Sequence, residues 1–438
     1  MLTKSVIRLR VAAFSLLLVF RGSAQDQSEI GREVAVPHRL QDGQEFDLSI
    51  LELIRYGKKL FEARFTSEEG AGRPLTKGTG AALSDPGSPL TFPRNNNRIS
   101  GPESNSCAGC HNQPISGGAG DLSTNVFVLG QRFDFATFNP NDVVPTRGGI
   151  DERGTAVTLQ SIANSRSTID MFGSGYYEML ARQITADLQN IRNNLRPGQS
   201  VQLTSKGISF GVLARNIDGS WNTSGVQGLA PQSLASSDAQ NPPSLLILPF
   251  HQSASTVSLR VFTNDAFNQH HGMQSTERFG IGTDPDGDGV VNELTRADIT
   301  ACTLFQATLP VPVRSVPRDS AAQQAAQEGE KSFRQIGCAS CHIPALPLDN
   351  KGWIYTEPGP YNPTGNLQLG EAAPLSVDLN RDDLPQPRLK AMNGTVMVPL
   401  YTDFKLHDIC RGPDDPNVEV LNAKRPEQPI FSQATHNS

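Results

Sequence analysis

The chain has 438 residues, enough for two or three domains that each bury a core. Its formal net charge is −6, with 37% hydrophobic and 19% charged residues, which offers no basic stripe for nucleic acid and excludes a disordered composition. Glycine and proline make up about one residue in six, so long loops and many turns are expected.

Lys4, Arg8 and Arg10 precede the apolar run VAAFSLLLVF (11–20), and Gly22, Ser23 and Ala24 follow it. The run is short for a bilayer core of about 30 Å. Residues 1–24 therefore read as a signal peptide cleaved near Ala24. The mature protein is expected to be exported, periplasmic and without a membrane span. An uncleaved anchor is the rival reading, and Arg21 keeps it open.

LELIRYGKKLFEARFT (51–66) carries Leu51, Ile54, Tyr56, Leu60, Phe61 and Phe65 in a helical pattern. A Gly-, Pro- and Asn-rich stretch (67–106) then leads to CAGCH (107–111), which returns as CASCH (338–342). Four readings compete. A thioredoxin-like dithiol expects a strand before the motif, and NNNRISGPESNS gives none. A zinc site would have to join two pairs that stand far apart in the chain. A disulfide inside CxxC is a strained loop. None of these explains the histidine after the second cysteine, both times.

Covalent haem does explain it. The two thiols add to the two vinyl groups, and the next residue brings an imidazole to the iron. Two such units use four of the six cysteines behind an export signal. Two c-type haems are therefore expected, on Cys107, Cys110 and His111 and on Cys338, Cys341 and His342.

Between them, ITADLQNIRNNLRPGQSV (184–201) reads as a helix closed by Pro-Gly. VQLTSKGISFGVLARNIDGSW (201–221) reads as strands with an Asp-Gly turn. The section 243–280 holds His251, His270, His271 and Met273. Each could be a haem ligand or an acid–base group; a satisfied polar residue is the plainer reading. His271 and Met273 carry the ligand or pocket reading furthest. DPDGDGVVNELT (284–295) begins like a calcium loop, with Asp284, Asp286 and Asp288 at the first ligand positions, Gly289 at the turn and Asn292 at the ninth. Thr295 stands where such a loop needs Glu, and a solvated acidic turn is the alternative.

AAQEGEKSFRQI forms a helix running into CASCH, with Phe333 and Ile336 on one face. After His342 the chain is proline-rich. Met397 and Met392 are candidate distal ligands to the second iron, and His407 competes with them.

CAGCHNQPISGGAGD (107–121), KGISFGVL (206–213), FTNDAFNQHHGMQSTERFG (262–280), GTDPDGDGVVNELTRADIT (282–300) and VPLYTDFKLHDIC (398–410) resemble the bacterial di-haem oxidoreductase family, whose outline is similar to that of di-haem cytochrome c peroxidases. The resemblance runs over most of the chain after about residue 50. It implies a mainly α fold with long loops, a few short strands and two cytochrome c-like haem domains. The boundaries would be 25–140 for the first haem domain, 141–320 for a middle region that helps to build the pocket, and 321–438 for the second. It further implies that the haem on His342, with Met397 or Met392, takes electrons from a small cytochrome or cupredoxin. The haem on His111 would reduce an oxidant such as peroxide. His271 and His251 would be its acid–base candidates, with Glu277 behind them, and calcium would sit between the domains. Family members continue with a segment resembling LWG…HHG, so the second domain is expected to be truncated here. They also carry HDMG where this chain has HDIC, and Cys410 would be free to pair with Cys302. The alternatives are an electron-transfer cytochrome with no substrate of its own and, behind it, a redox or gas sensor.

Overall fold

A computed structural model describes residues 33–71, 104–120, 168–236, 238–250, 256–284 and 288–407, and the backbone of 123–127, 163–167 and 431–432. The signal segment (1–24), His251, Asp286 and Cys410 lie outside the described residues.

Helix α1 is Ile50–Glu62, opened by a capping box between Ser49 and Glu52. Strands β1 (Ser123–Phe127) and β2 (Ala163–Ser167) pair antiparallel. Helix α2, Ser174–Asn193, starts earlier than the sequence pattern suggests. Tyr176, Tyr177, Leu180 and Ala181 extend the buried stripe of Ile184 and Leu188 toward its N-terminus. The strand-like section becomes the three-stranded sheet β3 (Gln199–Ser205), β4 (Ile208–Arg215) and β5 (Trp221–Asn222), with Asp218-Gly219 in the second turn. Short α3 (Pro231–Leu234) precedes α4, Leu259–Ala266. Then come α5 (Thr276–Phe279), α6 (Arg296–Ala307) and α7 (Ser320–Gln335). Five more strands follow: β6 (Ala345–Asp349), β7 (Ile354–Glu357), β8 (Leu375–Asp378), β9 (Thr395–Pro399) and β10 (Leu406–His407); β11 (Phe431–Ser432) pairs with β10. β6 pairs with β9, and β7 with β8. The described residues are thus mixed helix and sheet. No described helix is long and apolar enough to cross a membrane.

The core forms around α6, which is buried along nearly its whole length. α1, α2 and α4 pack on it. Two glycines allow the close approach. A Cβ on Gly57 would stand 1.9 Å from the Ala301 carbonyl oxygen, and one on Gly175 2.2 Å from that of Ala307. α7 differs: it has no buried residue, and it packs chiefly on the CASCH turn.

Candidate functional site

CAGCH and CASCH fold alike. Cys107–Gly109 and Cys338–Ser340 each form one 3₁₀ turn. The backbone N–H of His111 and that of His342 each donate to the carbonyl of the first cysteine at 2.9 Å. Each ring sets Nδ1 against a backbone carbonyl, His111 against Gly118 at 3.3 Å and His342 against Tyr401 at 3.1 Å. A carbonyl only accepts, so a neutral ring that donates from Nδ1 keeps a lone pair on Nε2; the His111 ring also meets the Ile169 backbone. Each ring also meets a phenylalanine from the end of a helix. Phe61 of α1 lies 6.4 Å from His111, and Phe333 of α7 lies 6.1 Å from His342. Held through Nδ1, each imidazole could offer Nε2 to an iron or zinc.

Electrostatics favour a ligand over a redox dithiol at the first turn. Burial lowers the His111 pKa to about 4, so the ring is neutral at neutral pH. Burial also pushes the Cys107 thiol up to about 12, whereas a reactive dithiol lowers it. No disulfide joins Cys107, Cys110, Cys302, Cys338 or Cys341.

A third histidine joins the first turn. α4 continues into a π-helical turn, Phe267–His271, closed by Gly272 at φ 71°. His271 is buried, with Nδ1 2.6 Å from the Ser104 carbonyl and Nε2 3.3 Å from Cys107 Sγ. By the same argument Nδ1 donates and Nε2 holds a lone pair, here accepting from the thiol. Phe267 and Phe65 flank the ring at 5.6 and 6.5 Å. Ser104 N also donates to the His270 carbonyl at 3.3 Å, so the segment before CAGCH is tied twice to the HH pair.

A buried ionic network fixes α4, and hence His271. Arg260 is fully buried; it holds Glu277 of α5 at 2.6 Å, and Glu357 of β7 and Thr300 of α6 at 3.0 Å. Glu178 of α2 accepts from Leu259 N at 2.8 Å and pairs with Arg182 at 2.5 Å. The Tyr355 hydroxyl lies between Glu178 and Glu357, at 3.2 and 3.3 Å. Burial raises the Glu357 pKa despite Arg260. Glu277 is thus occupied by Arg260 and by the amide of Asn264. The pairs of Arg260 with Glu277 and Glu357 join separate elements, whereas Glu178 and Arg182 stand one turn apart in α2.

The remaining candidates separate. His407 comes to the second turn: a ring nitrogen, an Asp403 carboxylate oxygen and Cys341 Sγ all lie within 4.8 Å of one another. Its Nε2 faces Asp403 at 2.9 Å, unlike the Nε2 of the other three histidines. The trio could hold a metal ion, one ligand short of a structural zinc site. Met273 packs inside the apolar core. In β9, Val396 and Val398 point inward and Met397 outward, 53% exposed; Met392 is 76% exposed. In the acidic loop, Asp284 accepts from Asp288 N and Gly289 N, and Asp288 from Val290 N. Asn292 accepts from Gly282 N. Thr295, at the position that calcium would need, instead caps α6 in a capping box with Asp298. Glu293 turns inward to Gln274 N.

Comparisons of the chain with protein-family models, with curated proteins and with solved structures return no match.

Proposed function

We propose that this chain is an exported di-haem c-type oxidoreductase, peroxidase-like, with one haem for electron entry and one for substrate reduction. The observation that carries the reading is the doubled turn. Both CxxCH units place a histidine with Nδ1 against a backbone carbonyl, beside a helix-borne phenylalanine. A dithiol or a disulfide has no use for that histidine. The surroundings of CASCH also fit a large apolar group. α7 presents Ala322, Ala326 and Phe333 along one stripe, yet buries none of them, and Ile336 at its end is 76% exposed.

In this reading Cys107 and Cys110 would hold the first haem through thioethers, and His111 would ligate its iron. Cys338, Cys341 and His342 hold the second. Haem, when bound, would supply redox-active iron for the reduction of an oxidant such as peroxide. The chain supplies the rest. Ser104 orients His271, and the Phe65 and Phe267 rings keep water from its sides. His271 Nε2 is then placed to take a proton from one peroxide oxygen and return it to the other. Met397, Met392 or His407 completes the second site, which receives electrons from a small cytochrome or cupredoxin.

A second reading has its own support. His271 Nε2 stands close enough to CAGCH to act as a ligand, which would leave a di-haem electron carrier. Absorption and EPR spectra of the purified protein, oxidised and half-reduced, with and without peroxide, separate the two. One high-spin haem that reacts with peroxide beside one low-spin haem supports the enzyme. Two low-spin haems that ignore peroxide in both states sink it. Absence of haem sinks both.

A further inference from the structure

Several buried carboxylates meet an arginine. Glu178 pairs with Arg182 at 2.5 Å, Asp265 with Arg278 at 2.5 Å and Asp298 with Arg39 at 3.3 Å. Asp403 is 4% exposed, yet among the described residues it pairs with no arginine or lysine. Its ion-pair partner is His407, whose Nε2 stands 2.9 Å from one carboxylate oxygen and 3.1 Å from the other. A buried carboxylate needs a compensating cation or strong donors, and here a half-buried cysteine stands beside it instead.

The loop that carries Asp403 and His407 is held on both sides. At its start, Leu400 N donates to the Pro344 carbonyl at 3.1 Å, and the Tyr401 carbonyl faces His342 Nδ1 at 3.1 Å. Tyr401 and Phe404 turn the chain in the left-handed region, at φ 54° and 57°. Lys405 N then donates to Asp403 Oδ1 at 3.0 Å, and Leu406 N to the Gly228 carbonyl at 2.9 Å. The loop therefore comes back onto the CASCH turn. A ring nitrogen of His407, a carboxylate oxygen of Asp403 and Cys341 Sγ lie within 4.8 Å of one another, and Cys341 joins no disulfide. Ligands of a tetrahedral zinc stand roughly 3–4 Å apart, so little closure is needed. A dication with one thiolate and one carboxylate is neutral as a unit, which removes the charge left on Asp403. Thiolate, imidazole and carboxylate together suit a borderline ion of the zinc class.

We propose that Cys341, Asp403 and His407 form a divalent metal site of the zinc class in the chain whose CASCH carries no haem, with water at the fourth position. The site goes beyond the haem reading and does not depend on it. Binding costs the thiol its proton, which passes to solvent. Once Cys341 has become a thioether it offers no thiolate, so metal and haem exclude each other at this turn.

The test titrates Co²⁺ alone into the reduced full-length chain, produced without haem attachment. Cys107→Ala/Cys110→Ala is included so that CASCH is the one CxxC unit present. One equivalent should give a thiolate-to-cobalt charge-transfer band and the visible bands of a tetrahedral ion, both removed by Zn²⁺. Cys338→Ala should keep them and Cys341→Ala should abolish the charge-transfer band. Asp403→Asn and His407→Phe should each weaken binding about tenfold or more. No band in the parent, a charge-transfer band that survives Cys341→Ala, or an affinity unmoved by Asp403→Asn and His407→Phe would overturn the site. Should the haem-free chain not fold, haem attachment to the exported wild-type chain under rising Zn²⁺ decides. Selective loss of the CASCH haem, relieved in an Asp403→Asn/His407→Phe variant, supports the site; equal loss at both turns, or none, overturns it. An exported parent without any haem would sink the haem reading and leave the cobalt titration to judge the metal site by itself.

Discussion

CAGCH and CASCH share one turn, one Nδ1–carbonyl contact and one kind of phenylalanine contact, but their surroundings are opposite. Around CAGCH the fold closes. Phe61 is 2% exposed, Phe305 stacks on it at 5.2 Å, and His271 reaches Cys107 from a helix end held by buried ion pairs. Around CASCH the fold stays open, on a helix with no buried residue. The difference teaches that the turn is local and its use is not. Five residues set the histidine; the distant chain decides whether that histidine faces a closed pocket or an open edge. In the proposed reading, the closed side suits proton-coupled chemistry away from water and the open side suits a partner protein.

The sharpest break is to remove each cysteine pair in turn. Cys107→Ala/Cys110→Ala and Cys338→Ala/Cys341→Ala should each cost half of the covalently bound haem, read from the alkaline pyridine spectrum. If either double variant keeps the full amount, the two turns are not equivalent attachment sites. A smaller effect tests the asymmetry. His271→Phe keeps a ring in the cage but removes Nε2. Peroxide turnover should fall about 10²- to 10⁴-fold with haem content unchanged, in line with the loss of a general acid–base group. His407→Phe, on the open side, should lower turnover less than His271→Phe does, since Met397 and Met392 remain to complete the second site. Equal losses in the two variants would erase the division of labour.

What the sequence shows of this follows the same line between local and distant. The CxxCH turns were legible as units because all the residues of each lie within five positions. The Asp-Gly turn was legible for the same reason. Phe61 over His111 was not, because a long segment separates them. The partners of Arg260 come from three separate elements. Distance along the chain from CASCH suggested Met392 and Met397 as ligands. The alternation of TVMVP was legible too: it buries Val396 and Val398 and turns Met397 outward. The calcium pattern was half legible in a similar way. Thr295 and Asp298 already spelled a helix cap where the twelfth ligand should have been.

The smallest expected effect probes the two helices that lead to the two histidines. Gly57 in α1 and Gly329 in α7 occupy helix interiors, where alanine normally gains about 1 kcal/mol over glycine. At Gly57 the new Cβ would stand 1.9 Å from the backbone oxygen of Ala301, which cannot swing away as a side chain can. α1 would have to part from α6, at an overpacking cost of roughly 1–3 kcal/mol that outweighs the propensity gain. At Gly329 nothing lies within 4 Å, so only the propensity and chain-entropy gain remains, about 0.4–1 kcal/mol. Urea unfolding should therefore show opposite signs, Gly57→Ala lowering the midpoint and Gly329→Ala raising it slightly. Loss of stability at both positions would mean that α7 has a packing partner after all, and the open side of the comparison would have to be redrawn as a second closed one.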